Sequence, residues 1–262
     1  MDLGNFLSNY TYLFILIMLR YFGLFIITPI FSSQAFFSRF KAGLSFLLAL
    51  VSLPVIQQIQ NIDVPDHVLL IAADVLKEIS IGFFMGFIVL LIFTAIQLAG
   101  QFIDLRMAFR LANAVNPMSD SPTPVVGQFK NIIAILVFLT LEGHHILIHN
   151  IYRSFSIIPI AQAEYSNEFF RFLFRSSGDL FILAFQIALP VFGTIFIVDV
   201  ILGFLARAVP QMNLFIIGLP VKILVGFIFL LLAINVMINF FDDQFQQLFR
   251  DLLRLLQLMA PG

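Results

Sequence analysis

The run Glu142–His149, EGHHILIH, carries three of the four histidines in the chain. Glu142, His145 and His149 stand at i, i+3 and i+7, a spacing that one continuous helix brings to a single face. Imidazole and carboxylate on one face suit a divalent metal. Inside a membrane, a chain of such groups suits a proton relay. A third reading is hydrogen bonding between packed helices, with His144 taking part. The spacing is not H-E-x-x-H and the sequence offers no second His/Asp cluster. Packing is therefore preferred, and no metal or other cofactor is expected.

Other chemistry finds little to work with. There is no nucleophile elbow, P-loop or paired-carboxylate signature, and with no cysteine there is no thiolate nucleophile or disulfide framework. Ser119, Asp120 and Ser121 sit among prolines and read as a turn. An enzyme is not expected. Fourteen basic against fifteen acidic residues give no electrostatic footprint for nucleic acid.

The elements that would hold these residues are helices in a membrane. Of 262 residues, 61% are hydrophobic and 11% charged, against roughly 25% charged in soluble domains. Six candidate spans run over Thr11–Phe31, Ala42–Ile59, Ile79–Ile103, Asn131–Ile151, Leu180–Ala206 and Leu214–Phe241. The first has no charged n-region or cleavage site and reads as a retained span. The third is free of charge and carries Gly82 and Gly86 at the spacing that lets a neighbouring backbone approach.

The other five are flawed for lipid. They hold Arg20, Pro29, Pro54, Glu142, Pro190, Asp199, Pro220 and Lys222. A mid-membrane charge costs about 2.5–3.5 kcal/mol on insertion scales, and each proline frees a carbonyl. Lys and Arg divide evenly between the two sides. Arg39, Lys41, Arg106, Arg110, Lys130 and Arg207 fall on one, and Lys77, Arg153, Arg171, Arg175, Arg250 and Arg254 on the other. Such a tie gives no orientation. The expected fold is all-α: a polytopic membrane-type protein of kinked helices and helical hairpins, packed in a larger helical assembly.

Three connections carry information. Phe36–Lys41 is short and basic, and Tyr152–Asp179 mixes charges and predicts a short amphipathic helix over Glu164–Arg175. Asp104–Lys130 is long, with prolines at 117, 122 and 124. A loop of that length in a compact helical protein is usually functional or disordered. Downstream of the last span, Phe245, Leu248, Phe249, Leu252, Leu255, Leu256 and Met259 repeat at helical spacing and predict an amphipathic helix. Docking on a partner and lying on the membrane surface are both open to it.

Several stretches together resemble the FliR family of flagellar export-gate proteins and its virulence-type counterpart, SctT. They are RYFGLFIITP (Arg20–Pro29), the apolar run from Glu78 to Asp104, NPMSDSPTPVVGQF, LEGHHILIHNIYRSFSIIPI and RAVPQMNLFIIGLPVK (Arg207–Lys222). The resemblance runs nearly end to end. It departs from the family's pattern at Asn116, where an aspartate is usual, and at Met107-Ala108, where Met-Gly is usual.

The resemblance implies a non-enzymatic part of a protein-export pore in the inner membrane at the flagellar basal body. Its partners would be FliP and FliQ, then FlhB and FlhA, with unfolded proteins as cargo and lipid around the assembly. Residues 1–178 would be FliP-like, with a gate or plug loop at about 104–124. Residues 179–241 would form a FliQ-like hairpin, and 242–262 the amphipathic C-terminal helix. The plug would include Arg106, Met107, Phe109, Arg110, Leu111, Asn116 and Pro117. Pro210, Gln211, Asn213 and Pro220 would shape a subunit-contact turn. Arg20, Glu142, His144, His145, Asp199 and Lys222 would be intramembrane polar packing residues meeting neighbouring subunits. The alternative class is a secondary transporter with a midplane substrate site, since broken helices with central charges also mark those proteins.

Overall fold

The computed structural model describes residues 3–32, 37–60, 64–107, 124–211 and 213–261. Among them are eight helices and no strand: α1 (Leu3–Ile27), α2 (Pro29–Ser32), α3 (Ser38–Ile59), α4 (Val68–Arg106), α5 (Val125–Thr140), α6 (Gly143–Ile157), α7 (Asn167–Ala208) and α8 (Leu214–Leu258). Five are long and apolar enough to cross a membrane, or six spans if α5 and α6 count as one. The all-α, polytopic expectation is met.

Local chemistry sets the breaks. α1 stops before Thr28, which precedes Pro29, and α6 ends before Ile158, which precedes Pro159. A residue ahead of proline is pushed out of the α region. Ser166 caps α7, its Oγ accepting the Phe169 N–H at 3.2 Å. The fourth predicted span is not one helix, because Glu142 adopts a left-handed conformation (φ 53°) between α5 and α6. Conversely, the helices predicted around Glu164–Arg175 and after Phe241 are not separate elements. They are the start of α7 and the end of α8.

The chain divides into two compact units: Met1–Leu91 with Glu142–Ser176 and Gln246–Gly262, and Ile92–Leu141 with Ser177–Phe245. In the first, α1 and α4 run parallel in backbone contact. A Cβ on Gly82 would lie 2.0 Å from the Arg20 carbonyl oxygen, and one on Gly23 would lie 2.4 Å from that of Ile79. Gly86 sits against Leu24 and Ile27 further along. The end of α8 joins this unit with Leu248, Leu252, Leu255 and Leu256 fully buried. Its polar side is exposed at Arg250 and Arg254. Its last turn is tied down by the Glu164 N–H, which donates to the Met259 carbonyl at 3.1 Å.

The second unit is an up-down-up-down set of four helical segments. α5 opposes α4, since Gly100 meets Gly127 and Phe93 meets Phe138. α8 also opposes α4, since Met107 meets Gly226 and Phe93 meets Phe245. α5 and α8 therefore run the same way. Phe93, Phe138 and Phe245 close a ring cluster with centroids 5.2–5.9 Å apart. Offset and edge-on pairs of this kind add about 0.5–1.5 kcal/mol beyond the area they bury.

Candidate functional site

In the first unit, one arginine organises the polar interior. Arg20 of α1 is fully buried, as is Glu78 of α4. Arg20 Nε donates to Glu78 Oε2 at 2.6 Å and Nη2 donates to Oε1 at 3.1 Å, a bidentate pair. Nη1 donates to Ser154 Oγ, and both Nη atoms donate to the Ile158 carbonyl, each at 3.1 Å. All five guanidinium donors are thus placed. The plane lies 4.2 Å from the Phe155 ring centroid, a cation–π contact.

The same pair fixes the bend after α6. Glu78 Oε1 accepts the Ala161 N–H at 2.9 Å, and Lys77 Nζ donates to the Ala161 carbonyl at 2.9 Å. Gln60 of α3 spans the bend, its Nε2 donating to the Phe155 carbonyl and its Oε1 accepting the Ile160 N–H. Ala161 has φ 65°, a conformation costing roughly 1–2 kcal/mol for a residue with a Cβ. These side chains hold it there.

In the second unit, buried groups gather at the root of the long connection. Asp104, near the end of α4, accepts the N–H of Val126 at 3.1 Å and more weakly that of Gly127 at 3.4 Å. Those are first-turn amides of α5 with no intrahelical acceptor, so one carboxylate ties the exit of the connection to its entrance. Gly100 and Gly127 reinforce the closure, since a Cβ on Gly100 would lie 2.1 Å from Gly127 Cα. Met107 is fully buried against Gly226, and Arg106 lies 4.4 Å over the Phe192 ring. Of the predicted plug residues, Phe109, Arg110, Leu111, Asn116 and Pro117 lie outside the described residues.

Lys130 of α5 is also fully buried, its Nζ donating to the Ile187 carbonyl at 3.2 Å. That carbonyl belongs to the turn of α7 that Pro190 loosens by lacking an N–H. Asp104 supplies the opposite charge acting on it.

Asp199 and Lys222 form an ion pair between α7 and α8, each about a quarter exposed. Arg20, Asp199 and Lys222 each have an ion-pair partner within the chain. Pro210, Gln211, Asn213 and Pro220 are exposed around the turn joining α7 to α8.

Glu142 stands outside α6 as its left-handed N-cap residue, and Glu142, His145 and His149 are all exposed. Glu142 Oε2 lies 3.6 Å from His145 Nδ1, with both side chains largely exposed. His144 stacks on His145 at 4.2 Å, and its Nδ1 is buried without a hydrogen-bond partner. Among the described residues no group of three or more His, Cys, Asp or Glu could hold a metal ion.

The sequence model of the bacterial export proteins, family 1, matches residues 11–248. The chain belongs to this family. It is similar to the flagellar biosynthetic protein FliR of Bacillus subtilis, 36% identical over 226 residues, 85% of this chain and 86% of that one. It is 32% identical over 250 residues to FliR of Pectobacterium carotovorum, covering 95% and 92% of the two chains. Yop proteins translocation protein T of Yersinia pestis is 25% identical over 210 residues, 79% and 80% of each. Arg20, Glu78, Asp104, Lys130, Asp199 and Lys222 all fall inside the stretch that matches the export-protein family.

Sequence reasoning missed Glu78, Asp104 and Lys130 as site residues. The signal was their rarity. In so apolar a chain, each charge beside a span needs a counter-charge, and Glu78 and Asp104 bracket the charge-free stretch of α4. Spacing could not identify their partners, which lie 58 residues away for Glu78 and 22 for Asp104.

Proposed function

We propose that this chain is a component of a type III protein-export apparatus and forms one wall segment of the flagellar export pore with FliP-like and FliQ-like chains. FlhB-like and FlhA-like proteins would adjoin it in the inner membrane at the basal body, and unfolded proteins would be the cargo. The role is structural and gating rather than enzymatic. The observation that carries this reading is the end-to-end similarity to proteins named for flagellar biosynthesis and for Yop translocation. The apolar helices support membrane residence.

Within that reading, residues 1–178 are the FliP-like part, 179–241 the FliQ-like hairpin, and the connection 104–124 the gate or plug. The long connection with its three prolines motivates the last assignment, and the anchoring of its root by Asp104 supports it. Deleting Met107–Ser121 is expected to leave the complex assembled but leaky to small ions. A deletion that neither leaks nor alters export rejects the plug. Recovery of the chain from native membranes without FliP-like and FliQ-like partners would reject the assembly and favour a secondary transporter.

A further inference from the structure

Among the described residues, the buried charged side chains of the second unit are Asp104 and Lys130, one acidic and one basic. Asp104 grips α5 at the amides of Val126 and Gly127. Lys130 follows those two by four and three residues, which a helix places on the same face. Helical side chains lean toward the N-terminus of their own helix. Lys130 is therefore directed back toward the turn that Asp104 holds, and the carboxylate acts on its ammonium.

That ammonium reaches α7, donating to the Ile187 carbonyl at 3.2 Å. Pro190 has no N–H, so the turn containing Ile187 lacks one helical hydrogen bond, the one the Gln186 carbonyl would accept. Ile187, Ala188 and Val191 are buried, and a hydrogen bond there is stronger than in water. Beyond the proline, Arg106 of α4 lies 4.4 Å over the Phe192 ring. A cation thus holds α7 on each side of Pro190, and the two come from the helices that flank the long connection. A buried ammonium depends on its counter-charge. Without the carboxylate, losing the proton and withdrawing from the site both end the charge-assisted bond to Ile187.

We propose that Lys130 couples the root of the long connection to the proline break in α7. While Asp104 grips the start of α5, Lys130 holds the Ile187 turn, and release at Asp104 loosens α7 around Pro190. Lys130 is a positioning residue in this device. The coupling is independent of the export reading, since every contact in it lies inside one compact unit of this chain.

The test is hydrogen exchange on the full chain in one detergent, read at Val191–Thr194 of α7 and at the first turn of α5. Asp104→Asn keeps the size of the side chain and removes its charge. It is expected to quicken exchange at both places, at α7 by about fivefold or more, with Ile201–Leu205 further along α7 unchanged. Lys130→Met should quicken α7 to the same degree. Adding Asp104→Asn to Lys130→Met should change α7 no further while still loosening α5. Pro190→Ala restores the missing N–H and should shrink the response of α7 to Asp104→Asn. If Lys130→Met does not fold, Lys130→Gln carries the same cycle. An α7 response that persists at full size in the Lys130→Met background would overturn the proposal, because the link would then run through α4 and Arg106. So would α7 exchange untouched by Asp104→Asn, or a rise that extends equally to Ile201–Leu205, which reports general destabilisation.

Discussion

Arg20 and Glu78, 58 residues apart in the chain, form a bidentate ion pair with both side chains fully buried. Breaking one side of such a pair strands a charge in low dielectric and costs about 3–5 kcal/mol, whereas replacing both with apolar residues is far cheaper. Glu78→Ala is expected to lower the thermal midpoint of the purified protein sharply. Arg20→Met with Glu78→Leu should recover much of the loss. Arg20→Lys should not match the native residue, because an ammonium cannot reproduce the fork that reaches Glu78, Ser154 and Ile158. Thermal unfolding in one detergent, comparing the variants, decides it.

The glycines of α1 and α4 give a prediction with internal controls. Gly82→Ala would drive a Cβ into the Arg20 carbonyl, and backbone cannot yield as a side chain can. Overpacking of this kind costs about 1–3 kcal/mol. Gly43 and Gly178 lie in helices with nothing within 4 Å of an added Cβ, so alanine there should stabilise by about 0.5–1 kcal/mol. Opposite signs at chemically identical substitutions, read by the same unfolding assay, test the packing directly.

Helical class, the approximate spans and the Gly82–Gly86 contact are legible in the sequence because hydropathy and small-residue spacing are local signals. The break at Glu142 is not, since nothing about the Leu-Glu-Gly triplet demands a left-handed residue there. Partners are also illegible from one strand of text. The counter-charge of Arg20 sits in a helix far along the same chain. Asp199 and Lys222 repeat the lesson, being 23 residues apart across a turn whose geometry the sequence does not specify.

Asp104 should behave as a cap supplied from another helix. Asp104→Ala leaves the amides of Val126 and Gly127 without their acceptor, a loss of about 1 kcal/mol for a typical cap. Hydrogen exchange at the first turn of α5 is expected to quicken several-fold. Exchange around Arg20 and Glu78, in the other compact unit, should not change. Equal protection of Val126 in the native and variant proteins would show that Asp104 does not anchor the connection.

Burial holds the Tyr165 phenol above its ordinary range, with the Glu78 carboxylate adding to the effect and the Ser80 hydrogen bond and Arg20 charge opposing it. The unfolded chain therefore loses this proton at lower pH than the folded one. Stability that is fully present below about pH 10 should decline as pH rises above it. Between pH 8 and 10.5 the native protein is expected to lose more thermal stability than Tyr165→Phe, which has no proton there to lose. Parallel curves for the two proteins would count against it.

Asp199 and Lys222 sit about three-quarters buried on a hairpin whose neighbouring side chains are largely apolar and exposed, Ile201, Phe204 and Leu224 among them. A fully solvated pair is worth about 0.2–1 kcal/mol, while a pair in such surroundings is less screened and more tightly coupled. A double-mutant cycle with Asp199→Asn and Lys222→Met is expected to give a coupling above about 1 kcal/mol. Lys222→Met alone should be the more damaging single change, since it leaves a carboxylate among apolar residues, whereas Asp199→Asn keeps a hydrogen-bonding group beside the ammonium. Charge exchange, Asp199→Lys with Lys222→Asp, should restore part of the stability lost by either reversal. A coupling indistinguishable from that of an exposed pair would mean the two charges are satisfied by solvent and hold the hairpin no tighter than its apolar contacts already do.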